Sequence, residues 1–214
     1  TQHSLNPLEL IRWAGAPSEA LVLLGSSTHA GEERVLGEIF LRLRDRFENL
    51  FLVIVPRHFE RGPDVGRELE AMGIQYRFRS EFGGEVGGSE TRGDCLIVNS
   101  TGELRFFYEI ASVVFIGKSL LAHGGQNPIE AAAAACAVVT GPYMENFRAI
   151  TKTFLKAKAM VQVKDSTELE NEIGRLFEQS EERKLLGERS RSVVDRNRGA
   201  VARTVTMIET FLHP

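Results

Sequence analysis

The chain has 214 residues, 43% of them hydrophobic, and a formal charge of −3 at pH 7. This length suits one large domain or two small ones, and the apolar content is sufficient for a substantial core. A slightly negative chain has no general basic field, which argues against a nucleic acid as its partner.

The cysteines and the hydropathy pattern bear on the compartment. Cys95 and Cys136 lie in or beside apolar runs, without CxxC spacing or nearby histidine pairs. We therefore expect buried free thiols of a reducing compartment, and neither a disulfide nor a zinc site. No apolar run approaches the ~20 residues that span a bilayer, and no signal-peptide pattern opens the chain, so a soluble cytosolic chain is expected.

Apolar runs and helical periodicity divide the chain into elements. Residues 1–19 carry two prolines and one small apolar cluster, which predicts a linker or a short lead-in helix, and residues 20–214 are predicted to form one domain. The apolar runs predict strands at 20–25, 50–55, 74–78, 95–98, 113–116, 137–140 and 160–163. Helices are predicted at 35–47, 64–72, 104–111, 131–135, 147–156, 166–180 (capped by Ser166) and 181–211.

The alternation of strand and helix predicts the fold class. It is typical of an α/β fold with one doubly wound parallel sheet and helices on both faces. Residues 80–92 are rich in glycine and show no periodicity, which predicts a mobile surface loop.

The most informative stretch begins where the apolar run 113–116 ends. A glycine-rich loop follows, and then Asn127, Pro128, Ile129 and Glu130. Asn suits a helix N-cap, Pro suits the first helical position, and a Glu three residues after the cap completes a capping box. A helix N-terminus at the carboxyl edge of a parallel sheet favours an anion. Asn127 and Glu130 thus have two interpretations, capping alone or ligand binding, and the pattern does not choose between them.

Polar residues follow the ends of several predicted strands, and parallel strands bring those ends to one edge of the sheet. They are Ser27, Thr28, His29, Arg57, His58, Thr101, Gly102, Glu103, Gly124, Gly125 and Asn127. The fixed charge and forked donors of Arg57 suit a phosphate group. Histidines such as His29 and His58 are more often ordinary loop residues than catalytic ones. This convergence predicts a ligand site at the carboxyl edge.

Several familiar motifs do not occur in the sequence. The first strand is not followed by GxGxxG, which disfavours a dinucleotide dehydrogenase. The segment 117–119 (GKS) looks like the tail of a P-loop, but the earlier glycine is missing. GxSxG and HExxH are also missing, so a hydrolase elbow or a zincin has no support.

Five segments together resemble one family, the 3-deoxy-D-manno-octulosonic acid (Kdo) transferases of lipopolysaccharide synthesis. They are 27–33 (STHAGEE), 56–61 (PRHFER), 102–104 (GEL), 124–130 (GGQNPIE) and 141–147 (GPYMENF). Each segment is short, but their order and spacing make the resemblance specific, and it covers the chain from Leu21 onward.

The resemblance implies a GT-B glycosyltransferase, built from two Rossmann-like domains that face a cleft. This chain would be the C-terminal, nucleotide-binding domain of an enzyme that transfers Kdo from CMP-Kdo to a lipid A precursor. The family's acceptor site, membrane-contacting surface and catalytic carboxylate belong to the N-terminal domain, so no catalytic residue is expected in this chain. The full-length protein would act at the cytoplasmic side of the bacterial inner membrane, whereas this fragment would be soluble and inactive alone. The resemblance calls for no metal and no cofactor.

Carried over by motif, nine residues would contact the CMP part of the donor: Pro56, Arg57, Gly102, Glu103, Leu104, Asn127, Pro128, Ile129 and Glu130. Additional contacts are expected from Ser27, Thr28, His58, Gly124 and Gly125. Arg57 and the amides of 127–130 would hold the phosphate, Glu130 the ribose diol, and the backbone around Gly102 the cytosine ring. Two departures bear on the sugar-facing contacts: Gln126 stands where the family usually has His, and Lys118 stands within a segment that is usually GGS.

Two other functions stay open at this point. One is another GT-B enzyme, such as a UDP-sugar transferase or epimerase, which a comparison of CMP with UDP binding would separate. The other is a stand-alone nucleotide-binding module that performs no chemistry.

Overall fold

A computed structural model describes residues 6–83 and 92–212, with the backbone alone for 199–212. The strands are β1 (Leu21–Thr28), β2 (Leu50–Pro56), β3 (Tyr76–Phe78), β4 (Cys95–Ile97), β5 (Val113–Ile116), β6 (Ala137–Thr140) and β7 (Val161–Gln162). The helices are α1 (Pro7–Trp13), α2 (Glu32–Leu43), α3 (Gly62–Ala71), α4 (Leu104–Phe107), α5 (Ile129–Ala133), α6 (Arg148–Lys156), α7 (Ser166–Glu178) and α8 (Ser180–Leu212). Short 3-10 turns occupy Phe59–Arg61, Arg79–Glu81 and Glu145–Phe147.

The seven strands form one parallel sheet in the order β3-β4-β2-β1-β5-β6-β7. The chain leaves β1 toward β2 on one side and later returns to place β5 on the other side, so the strand order reverses between β1 and β5. The doubly wound sheet predicted from the sequence is confirmed. In such sheets, ligands bind outside the carboxyl ends of the strands at this switch point.

Each face of the sheet carries its own hydrophobic core. On one face, β1 and β2 residues such as Leu23 and Leu52 pack beneath α2, α3 and α7. On the other face, their neighbours Val22 and Phe51 pack beneath α1, α4, α5, α6 and α8. Strands covered on both sides must be apolar at every position, which is why they read as continuous apolar runs in the sequence.

Helix α1 contributes to the second core. The Asn6 side chain accepts hydrogen bonds from the backbone N–H groups of Leu8 and Glu9 at its N-terminus, and Leu10 and Ile11 are buried against the sheet. The predicted short lead-in helix therefore packs on the rest of the fold. The boundary between 1–19 and 20–214 stays a prediction.

Strand β1 is longer than predicted. Its apolar run ends before Gly25, but the strand continues through Ser26 and Ser27 to Thr28. The polar side chains at its end have buried partners: Ser26 Oγ lies 2.8 Å from the Tyr108 hydroxyl, and Thr28 Oγ1 donates to Glu33. Polar residues can continue a buried strand when their hydrogen bonds are made inside the protein.

Three helix predictions are corrected. Helix α4 has four residues and gives way to tight turns after Phe107, so it does not extend to Ala111. Helix α5 spans Ile129–Ala133 and not 131–135. It ends before Ala135 because that residue adopts a left-handed conformation (φ 59°), which returns the chain to β6. Helix α7 is capped by Asp165, which accepts from the Glu168 N–H, and Ser166 is its first residue.

The loop predicted at 80–92 lies partly outside the described residues, which omit 84–91. At its start, Arg79–Glu81 form a 3-10 turn. Both cysteines are buried free thiols, as predicted, and burial raises the pKa of Cys136 to about 12. None of the helices in the described part of the chain is long and apolar enough to cross a membrane.

The contact between β1 and the start of the 117–128 loop tolerates no side chain. The Gly117 N–H donates to the Ser26 carbonyl oxygen (2.8 Å), and a Cβ added at Gly117 would lie 2.3 Å from the Ser27 carbonyl oxygen. We therefore predict that Gly117→Ala lowers the free energy of unfolding by about 1–3 kcal/mol. For a domain of this size, that corresponds to a fall in Tm of about 2–4 °C per kcal/mol in a thermal melt. The control is Gly83→Ala, where an added Cβ meets no atom of the described residues within 4 Å, and equal melting of the two variants would contradict the prediction.

Candidate functional site

One buried carboxylate holds the loops at the switch point. Glu32, the first residue of α2, is fully buried. Its Oε2 accepts from the backbone N–H groups of His29 (2.9 Å) and Lys118 (2.8 Å). Its Oε1 accepts from those of Ser119 (3.0 Å) and Leu120 (3.1 Å). The carboxylate thus joins the loop after β1 to the loop after β5.

A second buried carboxylate lies beside it and faces the other side of β1. Glu33 Oε1 accepts from Thr28 Oγ1 (2.9 Å) and from Arg61 Nη1 (2.6 Å), and its Oε2 is 3.3 Å from Arg61 Nη2. This contact with Glu33 raises the pKa of Arg61. Nothing in the spacing of residues 33 and 61 in the sequence indicates that they meet. The Thr28 hydroxyl, predicted to face a ligand, is used within this network.

The end of β2 brings Arg57 and His58 to the same edge. Pro56 is the last residue of β2 and pairs with Thr28, and the Arg57 N–H donates to the Thr28 carbonyl oxygen (3.0 Å). The side chains of Arg57 and His58 are exposed. The His58 ring contacts that of His29, with ring centroids 6.1 Å apart.

The glycine loop after β5 is held by its neighbours. Gly124 (φ 112°) and Gly125 (φ 71°) have left-handed backbones that suit glycine. The Gly125 N–H donates to the Lys118 carbonyl oxygen (2.8 Å), and the Gly124 N–H donates to Glu145 (2.8 Å). Glu145 also contacts His123, and these contacts lower the pKa of Glu145 to about 2. Because both glycine amides are already bonded, they serve the shape of the loop and do not point donors at a ligand.

The capping box predicted at Asn127 and Glu130 forms only in part. Asn127 Oδ1 accepts from the Ile129 N–H (3.0 Å), so Asn127 does cap the turn that enters α5. Among the described residues, the exposed Glu130 carboxylate makes no hydrogen bond back to Asn127, and Pro128, the residue before α5, is buried. The Glu130 carboxylate is thus left facing solvent beside the loop. Helix α5 has only five residues, so its dipole is too small to bind an anion by itself.

The segment Gly102–Leu104 lies farther from the switch point, after β4. Gly102 has a left-handed backbone (φ 77°), and the Glu103 carboxylate accepts from Arg79 (2.9 Å) and from the Ser100 hydroxyl. Leu104 is half-buried against the second core. The Glu103 side chain is engaged within the protein, so a contact with a ligand at this segment falls to its backbone.

Two cations at this edge have no carboxylate partner among the described residues. Glu33 is paired with Arg61, and the Glu32 carboxylate is stabilised by backbone N–H groups. Arg57 and Lys118 belong to none of the ion pairs in the described part of the chain. Both are therefore available to pair with an anionic ligand. No group of three or more His, Cys, Asp or Glu within the described ranges could hold a metal ion.

The structure thus brings together the predicted residues at the ends of β1, β2 and β5. Arg57, His58, Gly124, Gly125 and Asn127 surround the switch point, together with Ser27, whose backbone is left-handed (φ 51°) at a bulge in β1. Three sets of contacts were not predicted from the sequence. They are the four hydrogen bonds that Glu32 accepts, the ion pair between Glu33 and Arg61, and the hydrogen bond from the Gly124 N–H to Glu145. The two adjacent glutamates at the start of α2, directly after a strand end, are a sequence signal for the two buried carboxylates but not for their partners.

We predict that Glu32→Gln strongly destabilises the fold. An amide replaces one acceptor oxygen with an NH2 group, which would face backbone N–H donors, and hydrogen bonds to charged groups contribute about 1.5–3 kcal/mol each. Chemical denaturation should show a free energy of unfolding lowered by at least about 2 kcal/mol. The matched control is Glu38→Gln on the exposed side of α2, 4.0 Å from Arg42. If Glu32→Gln unfolds like the control, the carboxylate does not fix these loops.

The chain is similar in sequence to curated glycosyltransferases. The chain is 31% identical to a 3-deoxy-D-manno-octulosonic acid transferase of Haemophilus influenzae over 89% of this chain and 44% of the relative. It is 30% identical to the transferase of Bordetella pertussis over 94% of this chain and 46% of the relative. The chain thus spans about half the length of the curated relatives it matches. No protein-family model matches it.

Solved structures agree on the fold. A structure described as the C-terminal CMP-Kdo binding domain of WaaA from Acinetobacter baumannii has a TM-score of 0.75 and 24% identity, over 83% of this chain and 90% of that one. A C-terminal domain of a group 1 glycosyl transferase from Francisella tularensis has a TM-score of 0.60 at 12% identity, over 91% of this chain and 92% of that one. Over about half of their length the 3-deoxy-D-manno-octulosonic acid transferases are thus similar to this chain in sequence, and the chain has the fold of the C-terminal domain of a GT-B glycosyltransferase.

Proposed function

We propose that this chain is the donor-binding domain of a Kdo transferase, and that it binds CMP-Kdo at the carboxyl edge of its sheet. The observation that carries the proposal is a pair of cations, Arg57 and Lys118, on the two sides of β1 at the switch point, neither of which has a carboxylate partner among the described residues. The similarity of the chain to Kdo transferases and the printed description of the Acinetobacter baumannii domain support the choice of ligand.

Arg57 is the residue proposed to hold the donor phosphate. When the bond between the sugar and the phosphate breaks, negative charge grows on the departing CMP, and a fixed cation stabilises that charge more than it stabilises the ground state. The hydrogen bond from the Arg57 N–H to the Thr28 carbonyl fixes the backbone from which the exposed side chain extends. This arrangement supplies electrostatic stabilisation without any catalytic base from the chain.

The remaining steps are proposed for the longer protein. The acceptor, a lipid A precursor, and the carboxylate that activates its hydroxyl would come from outside this chain, as would the contact with the membrane surface. Holding acceptor and donor together across a cleft can lower the activation barrier by about 7–11 kcal/mol. The chain alone is therefore proposed to bind the donor without transferring the sugar. That activity would serve lipopolysaccharide synthesis at the cytoplasmic side of the inner membrane.

The central test is the binding of nucleotides to the purified chain by calorimetry. We predict that Arg57→Ala weakens CMP binding by about 1.5–3 kcal/mol, the usual range for a lost charged hydrogen bond. This loss corresponds to a roughly ten- to 150-fold higher Kd.

Arg42→Ala is the control for Arg57→Ala, because Arg42 is exposed near the far end of α2 and pairs with Glu170. Unchanged CMP affinity in a folded Arg57→Ala variant would remove Arg57 from the site. Tighter binding of UMP or UDP than of CMP would instead favour a UDP-sugar enzyme, and failure to bind any nucleotide would contradict the proposal as a whole.

Glu130 offers a second test, because its carboxylate makes no bond to Asn127 within the described residues. If it accepts from the ribose diol, Glu130→Gln should raise the Kd for CMP by about tenfold. In that case 2′,3′-dideoxy-CMP should bind the wild type no better than CMP binds the variant. The control is Glu181→Gln, which changes an exposed carboxylate in the first turn of α8. Equal CMP affinity of Glu130→Gln and wild type would mean that Glu130 serves the helix alone.

A further inference from the structure

Lys118 has a backbone conformation that L-residues rarely adopt. Its φ angle is 56°, in the left-handed region that favours glycine. Hydrogen bonds on both sides hold it there: its N–H donates to Glu32 (2.8 Å), and its carbonyl oxygen accepts from the Gly125 N–H (2.8 Å). Strain that the surrounding structure enforces is a reason to look for a function of the side chain.

The fixed backbone directs the Lys118 side chain over the glycine loop. Its Cε lies 3.6 Å from the position that a Cβ would take at Gly124, which is van der Waals contact distance. Lys118 is half-buried and has no carboxylate partner in the described part of the chain. A lysine ammonium group without a protein carboxylate beside it is available to pair with the negative charge of a ligand.

Two polar side chains border the same space. The Gln126 side-chain nitrogen lies 3.2 Å from His29 Nε2. Burial lowers the pKa of His29, an effect that Glu32 opposes and that its neighbours Lys118, His58 and Arg61 reinforce. The His29 ring is therefore neutral at neutral pH, which leaves Lys118 as the charged group of this cluster.

We propose that Lys118, with His29 and Gln126 beside it, forms a subsite for the carboxylate of the donor sugar acid. The inference rests on the proposed function, because it concerns the sugar end of the same donor. CMP-Kdo carries two separate negative charges, on the phosphodiester and on the sugar carboxylate. The switch point offers two cations on opposite sides of β1 that form no ion pair within the described ranges, and Arg57 is assigned to the phosphate. Lys118 then matches the remaining charge.

The test compares CMP with CMP-Kdo on the wild type and on Lys118→Met, which removes the charge while keeping an unbranched side chain. The wild type should bind CMP-Kdo more tightly than CMP. In Lys118→Met, that preference should fall by about tenfold while the Kd for CMP changes by less than about twofold. Lys118→Arg should retain most of the preference.

Lys158→Met is the matched control, since Lys158 also has a left-handed backbone (φ 51°) but lies after α6 and is exposed. Lys118→Gly separates charge from strain: it should melt no lower than the wild type and still lose the preference for CMP-Kdo. Equal weakening of CMP and CMP-Kdo by Lys118→Met would assign Lys118 to the phosphate and overturn the subsite. A preference that survives in Lys118→Met would overturn it as well, whereas a wild type that binds neither ligand would contradict the proposed function itself.

Discussion

The buried carboxylate of Glu32 is the interaction on which the site depends. Its two oxygens accept hydrogen bonds from four backbone N–H groups, one in the loop after β1 and three in the loop after β5. A carboxylate without such partners would be too costly to bury, and three amides of a tight loop without an acceptor would be costly as well. Because Glu32 and Lys118 are 86 positions apart, a single side chain determines the path of a distant loop.

Side chains of consecutive helix residues point in different directions, as Glu32 and Glu33 do in the first turn of α2. Glu32 faces the loop after β5, while Glu33 faces Thr28 and the turn after β2, where it holds Arg61. Both carboxylates are fully buried, and together they tie α2 to the loops on the two sides of β1. Glu33 is paired with Arg61 and Glu32 accepts from backbone N–H groups, so Arg57 and Lys118 are left without acidic partners in the described part of the chain.

This arrangement changes the explanation for anion binding. The capping pattern around Asn127 suggested that a helix N-terminus would attract the anion. In the structure α5 has only five residues, and the amides of Gly124 and Gly125 are bonded to Glu145 and Lys118. The glycines shape the loop so that neighbouring side chains can approach one another. The proposed attraction for an anion then comes from the side chains of Arg57 and Lys118.

The sequence by itself determined the sheet and the region of the site. Strands buried on both faces must be apolar throughout, and the helices between them keep a 3.6-residue period, so both are visible in short windows. The motifs at the strand ends could be assigned to one edge because parallel strands share their direction. Only the tertiary structure decided that β1 continues through Ser26 to Thr28, since its polar side chains are satisfied by Tyr108 and Glu33. The same holds for the contacts of Glu32 and the left-handed backbone of Lys118, because hydrogen bonds between distant parts of the chain fix them and no local pattern records such bonds.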